Sequence, residues 1–340
     1  MQYKYLAHVM SVPCLYLEPI MSDIEIQEKE GEYLQENQCM HIIKTDHDVR
    51  TSDGHLLLRF RKGVIDDALC NNAVEGLREV SLKKHDNRGA PAGQLDRNKM
   101  PNYVAGWYNT KKFRTYYTRK SDGQASKHDI SNLSPSSIIG FFDRKDRNDP
   151  KGLPCRLTAF SAQEVDKWNQ CIPLVQRISQ LFSELMPEAY DRQRQQAMKS
   201  PNFIIKDTCF STLTTNYSWR TAIHRDKGDF IGGFGNLTVC EDSKNPYHYK
   251  GCYTGLPQYG VCVDVRQGDF LAMDVHEWHG NTEMINAGSQ LPLEESPSPT
   301  IAFPFKERDF INQWHFNRLA LVCYLRNNMW KCSARNAKLV

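Results

Sequence analysis

The sequence predicts an α+β fold in which a β-sandwich or jelly-roll core is buttressed by helices. Three observations predict it. Apolar residues recur at steps of three and four over 161–186, the spacing of one helix face. From about residue 203 the spacing changes to two, the alternation of half-buried strands. The composition is that of a folded chain: of 340 residues 40% are hydrophobic and 24% charged, with 20 Gly and 16 Pro. That balance excludes collagen-like, fibrous and disordered chains. The formal charge is only +3, from 43 basic and 40 acidic residues, so any attraction to nucleic acid must be local.

In chain order, residues 1–60 carry little periodic signal. A helix is expected over 64–80, with Leu69, Ala73 and Leu77 on one face. Residues 84–135 are polar and broken by Asn, Asp, Gly and Pro, which reads as a long loop region. Within it Lys111, Lys112, Arg114, Arg119 and Lys120 interleave with Phe113, Tyr116 and Tyr117. Such a stretch either pairs phosphates and stacks on bases or is a solvated edge strand. Ser161 and Glu164 form a capping box. Trp168, Ile172, Val175, Ile178, Phe182 and Leu185 then mark a helix to 186, kinked or split by Pro173 and ended by Pro187. Strands are expected over 203–205, 210–217, 237–240, 261–265, 270–275 and 319–325. Gln267, Gly268 and Asp269 form a hairpin turn between two of them. The Ser/Pro-rich stretch 280–307 reads as an irregular insertion.

The 11 cysteines are odd in number and scattered, with no Cys-x-x-Cys. Free thiols in a reducing, intracellular compartment fit them better than a disulfide framework, with nucleus and cytoplasm left open. Cys240, His248, Cys252 and Cys262 match no standard zinc spacing and read as unpaired thiols. No apolar run approaches the roughly 18 residues of a membrane span. His8 and Pro13 interrupt the first apolar stretch, so no signal peptide is expected.

The chemistry concentrates at His224-Arg225-Asp226. On an extended segment residues i and i+2 face one side, so an imidazole and a carboxylate meet one point. His276 or His279 can supply a third ligand. The two face opposite sides, and His279 is preferred because Gly280 and Asn281 turn the chain behind it. Two His and one carboxylate with open positions form the facial triad of non-haem Fe(II) oxygenases. Asp274 and Glu277 either hold a ligand histidine or are plain surface carboxylates. Arg318 opens the apolar strand 319–325. A cation entering a core needs an anion, such as a dicarboxylate cosubstrate held bidentately; otherwise it is a surface arginine, and Arg308 or Arg326 takes that part. Asn216 and Thr214 either line a pocket or pair across strands. Trp219 and Phe234 either stack on a base or fill the core.

Several segments resemble the TET/JBP family of 2-oxoglutarate- and Fe(II)-dependent dioxygenases, which oxidise the 5-methyl group of pyrimidines in nucleic acid. Ser137 to Arg144 and Cys155 to Phe160 resemble the segment before the catalytic core. Asn216 to Asp229, followed by Gly232 to Asn236, resembles the metal-binding strand and its loop, and His279-Gly280-Asn281-Thr282 the distal-histidine turn. Arg318 and its strand resemble the cosubstrate-anchoring strand. The similarity spans about 130–330 and is closer to JBP and algal or protist members than to animal TET enzymes, whose Cys-rich zinc-binding region is absent. The resemblance implies a double-stranded β-helix. It implies Fe(II) on His224, Asp226 and His279, with O2 as co-reactant and 2-oxoglutarate on Arg318. The partner it implies is DNA with a flipped-out thymine or 5-methylcytosine. An algal branch uses ascorbate in place of 2-oxoglutarate. Asp229 then contacts the cosubstrate, as Asn216 would from the strand, or it merely shapes the loop with Gly228. The expected organisation is an N-terminal extension of unclear role over 1–125 and a dioxygenase domain over 126–340. The β-core of that domain spans about 203–330, and the chain is a monomer with no membrane partner. The rivals are an iron dioxygenase of proteins or small molecules and a DNA-binding module without catalysis.

Overall fold

Alternation lets single strands serve two environments. In the strand Arg318–Tyr324, Leu319, Leu321 and Cys323 join a helix-covered core. Arg318, Ala320, Val322 and Tyr324 line a cavity on the opposite face. The pleat dictates this, because successive side chains leave a strand on opposite sides. The structure is a computed structural model and describes residues 12–95, 107–108, 112–118, 121–143, 155–287 and 316–332. Within them the fold is α+β and rich in sheet.

A ten-stranded sheet carries Arg318–Tyr324 near its middle. Thr212–Tyr217 and Gly235–Glu241 flank it, both antiparallel. Ser134–Phe142 lies beyond the first, and Phe270–Met273 then Leu56–Arg61 beyond the second. A four-stranded sheet runs in the order Gly280–Asn281, Thr254–Leu256, Val261–Val263, His41–Ile43. Leu237, Val239, Leu271 and Ala320 of the larger sheet pack with Leu256, Val261 and Val263 of the smaller one. The larger sheet's other face is covered by two helices, Asp67–Ser81 and Val165–Leu185. Cys70, Ala73, Val74, Leu77 and Val80 make the buried stripe of the first. Gly76 lets the pair approach closely, since a β-carbon there would stand 2.4 Å from the Lys167 carbonyl oxygen.

Several expectations need correction. The Ser161 cap does not form: the Ser161 hydroxyl accepts the buried Gly140 amide at 2.9 Å, and the long helix starts only at Val165. It runs unbroken through Pro173 to Leu185. The expected strand at 203–205 begins as the 3-10 turn Pro201–Phe203. Gln267, Gly268 and Asp269 do not close a hairpin, because Val261–Val263 and Phe270–Met273 belong to different sheets. The stretch expected as an insertion opens with the strands Gly280–Asn281 and Met284–Asn286, and residues 288–307 lie outside the described ones. The cysteines are not all free: Cys39 pairs with Cys262 and Cys155 with Cys332. Strands from the first 61 residues are hydrogen-bonded into both sheets. No described helix is long and apolar enough to cross a membrane.

Candidate active site

Two irregular segments bring the site together. The His224 and His279 backbones exchange N–H···O bonds of 2.9 Å each way, and the Asp226 amide donates to Val275 O at 3.0 Å. Gly280 allows this approach: a β-carbon there would meet the backbone of Ala222 and Ile223 at 3.2 Å. The segment before His224 is also clamped from the N-terminal side. Gly31 donates to Ile223 O at 2.8 Å, Ile223 to Glu32 O at 2.8 Å, and Ala222 to Pro91 O at 2.9 Å.

The result is a cluster of His224, Asp226 and His279 whose ligand atoms lie within 4.8 Å of one another. Asp226 stands 3.6 Å from Nε2 of His224 and 3.7 Å from Nε2 of His279. Nδ1 of His224 lies 2.7 Å from Ala222 O, and Nδ1 of His279 lies 2.9 Å from Glu277 O. A carbonyl only accepts, so each Nδ1 carries the hydrogen and each Nε2 lone pair is left for a cation. Burial, then the neighbouring His279, pushes the His224 pKa down to about 4, which keeps that imidazole neutral. Burial would raise the Asp226 pKa, but the adjacent His279 and His224 imidazoles and the Arg88 guanidinium outweigh it and hold the carboxyl down at about 2. Burial would lower the His279 pKa, but the Asp226 carboxylate outweighs burial and raises it, so this point attracts positive charge. Two imidazole nitrogens and one ionised oxygen donor suit a divalent transition metal. His276 is outside the cluster; its Nε2 lies 3.2 Å from Phe230 O. Asp274 pairs with His55 at 3.0 Å and Glu277 serves through its backbone carbonyl, so neither carboxylate holds a ligand histidine.

The cluster opens on a cavity of about 220 Å³. Arg318 lines it while being only 1% exposed, and its Nε and Nη2 meet no hydrogen-bond partner. Arg326 also lines the cavity, but its Nε donates to Asp143 at 2.7 Å and its guanidinium lies over the Phe142 ring. Arg308 falls outside the described residues. Asn216 lines the wall and accepts from the Ser136 hydroxyl at 2.6 Å; Thr214 bonds the Tyr324 hydroxyl at 3.1 Å. Asp229 faces the same space. Burial, then the charge of Asp226, pushes its carboxyl well above the usual range. Trp219 is on the cavity wall with its indole N–H unpartnered. Phe234 instead packs against the helix-covered core.

Arg88, Ser136 and Tyr324 line the cavity and were missed by sequence reasoning. Tyr324 had a signal, six residues and three pleats after Arg318 on the same face; Arg88, in a polar loop, had none. In the basic stretch, Lys112 bonds Glu28 O at 2.6 Å and Arg114 pairs with Asp129 at 3.2 Å. Both cations are thus engaged within the protein. Lys111, Arg119 and Lys120 lie outside the described residues.

A family model, Tet_JBP, described as "Oxygenase domain of the 2OGFeDO superfamily", matches residues 137–327. The chain is similar to the bifunctional helicase and thymine dioxygenase JBP2 of Trypanosoma brucei brucei, at 30% identity over 213 residues. That match covers 60% of this chain and 17% of the relative. It is similar to thymine dioxygenase JBP1 of the same organism at 36% identity over 154 residues, covering 45% and 17%. Among solved structures it aligns with NgTET1 in complex with 5mC DNA at 12% identity and a TM-score of 0.46, over 94% of this chain and 100% of that one. The chain spans less than a fifth of the length of these two curated relatives.

Proposed function

Because the chain belongs to the Tet_JBP family of 2OGFeDO oxygenase domains, we propose that it is an Fe(II)- and 2-oxoglutarate-dependent dioxygenase that oxidises the 5-methyl group of thymine in DNA. The observation that carries this reading is one cavity holding both a two-histidine, one-carboxylate donor set and a buried arginine without a partner. His224, Asp226 and His279 would hold the iron. When bound there, Fe(II) supplies the activation of O2 needed to oxidise a methyl C–H bond.

The residues of the chain do the rest. A guanidinium is a cation with donors and no acceptor, so the open Nε and Nη2 of Arg318 call for an anion, and the far carboxylate of 2-oxoglutarate fits them bidentately. Asn216, held by Ser136, and Asp229 shape the wall against which cosubstrate or base would rest. The two facing sheets are read as a jelly roll that shields the cavity from bulk water. A methyl group inside a duplex cannot enter such a cavity, so the base must leave the stack. Thymine is chosen over 5-methylcytosine because the relatives are named thymine dioxygenases.

The test is nucleoside mass spectrometry. Unmethylated and 5-methylcytosine-containing DNA are incubated with the protein and Fe(II), with 2-oxoglutarate or ascorbate in parallel. The expected outcome is 5-hydroxymethyluracil with 2-oxoglutarate, none with ascorbate alone, and none for Asp226→Ala at unchanged circular dichroism. Full turnover by Asp226→Ala, or no oxidised pyrimidine in any arm, overturns the reading. Turnover with ascorbate alone would replace the cosubstrate.

A further inference from the structure

Arg88 lies outside the matched residues 137–327, yet it lines the same cavity as His224, Asp226 and Arg318. Its Nε and Nη2 are shut off from solvent and meet no hydrogen-bond partner. These two atoms form one edge of the guanidinium, whose parallel N–H bonds match the two oxygens of a carboxylate or phosphate. Arg318 leaves the same two atoms open. The cavity therefore holds two open bidentate edges, and one cosubstrate carboxylate accounts for only one of them.

Leaving such a group unpaired is costly, because a buried guanidinium can neither lose its proton nor recover the water it gave up. Asp226 lies near but is turned to the two histidines. The loop that carries Arg88 is also firmly held. Ser131 donates to Asp86 O at 2.7 Å, Gly89 donates to the Ser131 hydroxyl at 3.1 Å, and Asn132 donates to Ala92 O at 2.9 Å and Gln94 O at 3.0 Å. Pro91, three residues on, accepts the Ala222 amide just before His224. A costly group on a rigid loop tied to the candidate metal segment has the form of a pre-organised binding residue.

We propose that Arg88 is a second oxyanion anchor of the cavity. Its Nε–Nη2 edge holds a two-oxygen anion of the bound reactants, either a carboxylate of the cosubstrate or a phosphate of the extruded nucleotide. This rests on the reading that both reactants enter this cavity.

The experiment compares the full chain with Arg88→Lys, Arg88→Met and, as reference, Arg318→Met. Three quantities are measured: the Kd for 2-oxoglutarate by calorimetry with Mn(II) in place of Fe(II), the Kd for a short thymine-containing oligonucleotide without metal, and the ligand-free thermal midpoint. Arg88→Met should keep or raise the ligand-free midpoint, since an unpaired buried charge is removed. It should weaken one ligand by about tenfold or more, with Arg88→Lys in between because lysine keeps the charge and loses the fork. A weakened 2-oxoglutarate identifies the carboxylate, and a weakened oligonucleotide the phosphate. If both Kd values stay within about twofold of the parent while Arg318→Met loses 2-oxoglutarate, the Arg88 assignment falls and the functional reading stands. If Arg318→Met also binds as the parent does, the functional reading falls and takes Arg88 with it. A lowered midpoint with unchanged Kd values makes Arg88 structural and overturns the proposal.

Discussion

Asp242 pairs with Arg78 through both carboxylate oxygens and accepts from the Tyr217 hydroxyl at 2.8 Å, with its side chain only 2% exposed. It pins the helix Asp67–Ser81 to the end of the strand Gly235–Glu241. Burial would raise its pKa, but the Arg78 and Tyr217 bonds outweigh burial and lower it from 3.8. A carboxylate depressed by folding contributes stability above its unfolded value and loses it as pH falls through the folded value. Asp242→Asn should therefore cost about 2 kcal/mol at neutral pH. The gap from the parent should close below pH 3.8, as urea midpoints across pH will record. A gap that persists at pH 2 would assign the loss to packing. None of this was visible in the sequence, where Asp242 and Arg78 stand 164 positions apart. His224 and Asp226 were visible because their relation is local: two residues on one extended segment face one way. His276 and His279 stood out as the next histidines at an expected strand end, His279 was preferred for the Gly280-Asn281 turn behind it, and the structure brings His279 to the cluster.

At the scale of elements, the pairing of His224 with His279 depends on how closely two non-strand segments approach. Gly280→Val would push a side chain onto the backbone of Ala222 and Ile223, already 3.2 Å from where a β-carbon would sit. The expected outcome is a folded protein whose Mn(II) affinity falls by about tenfold or more, measured by calorimetry. Undiminished affinity would show that the segments tolerate separation. Strands with a cavity on one face and a core on the other were legible, since period two is written in their residues, as in Arg318–Tyr324. The start of the long helix was not. Ser161 had the right spacing to Glu164, but the buried Gly140 amide needed an acceptor more than a helix end needed a cap. The apparent hairpin at Gln267–Asp269 failed for a similar reason: a turn sequence says that the chain reverses, not that its flanks pair.

At the scale of the whole molecule, strands from residues 14–61 are part of both sheets. Leu56–Arg61 pairs with Phe270–Met273, and His41–Ile43 pairs with Val261–Val263. A chain beginning at residue 126 should aggregate on expression, because two strands that are interior in the full chain become bare edges. Soluble, cooperatively unfolding protein from that shortened chain would refute this. These pairings were not legible in the residues, because strands of three to six residues hold too few alternations to register a period, and their partners lie about 210 to 220 positions away.

That arrangement has a consequence for synthesis. The ribosome releases His41–Ile43 and Leu56–Arg61 long before it makes the strands that they pair with. Ordering contacts so distant in the chain is slow, and apolar strands that wait unpaired are open to wrong partners. These two strands are thus the part that most needs protection until residue 273 has emerged. Slowing translation between the codons for residues 100 and 260 should lower the yield of folded protein more than slowing it after residue 280.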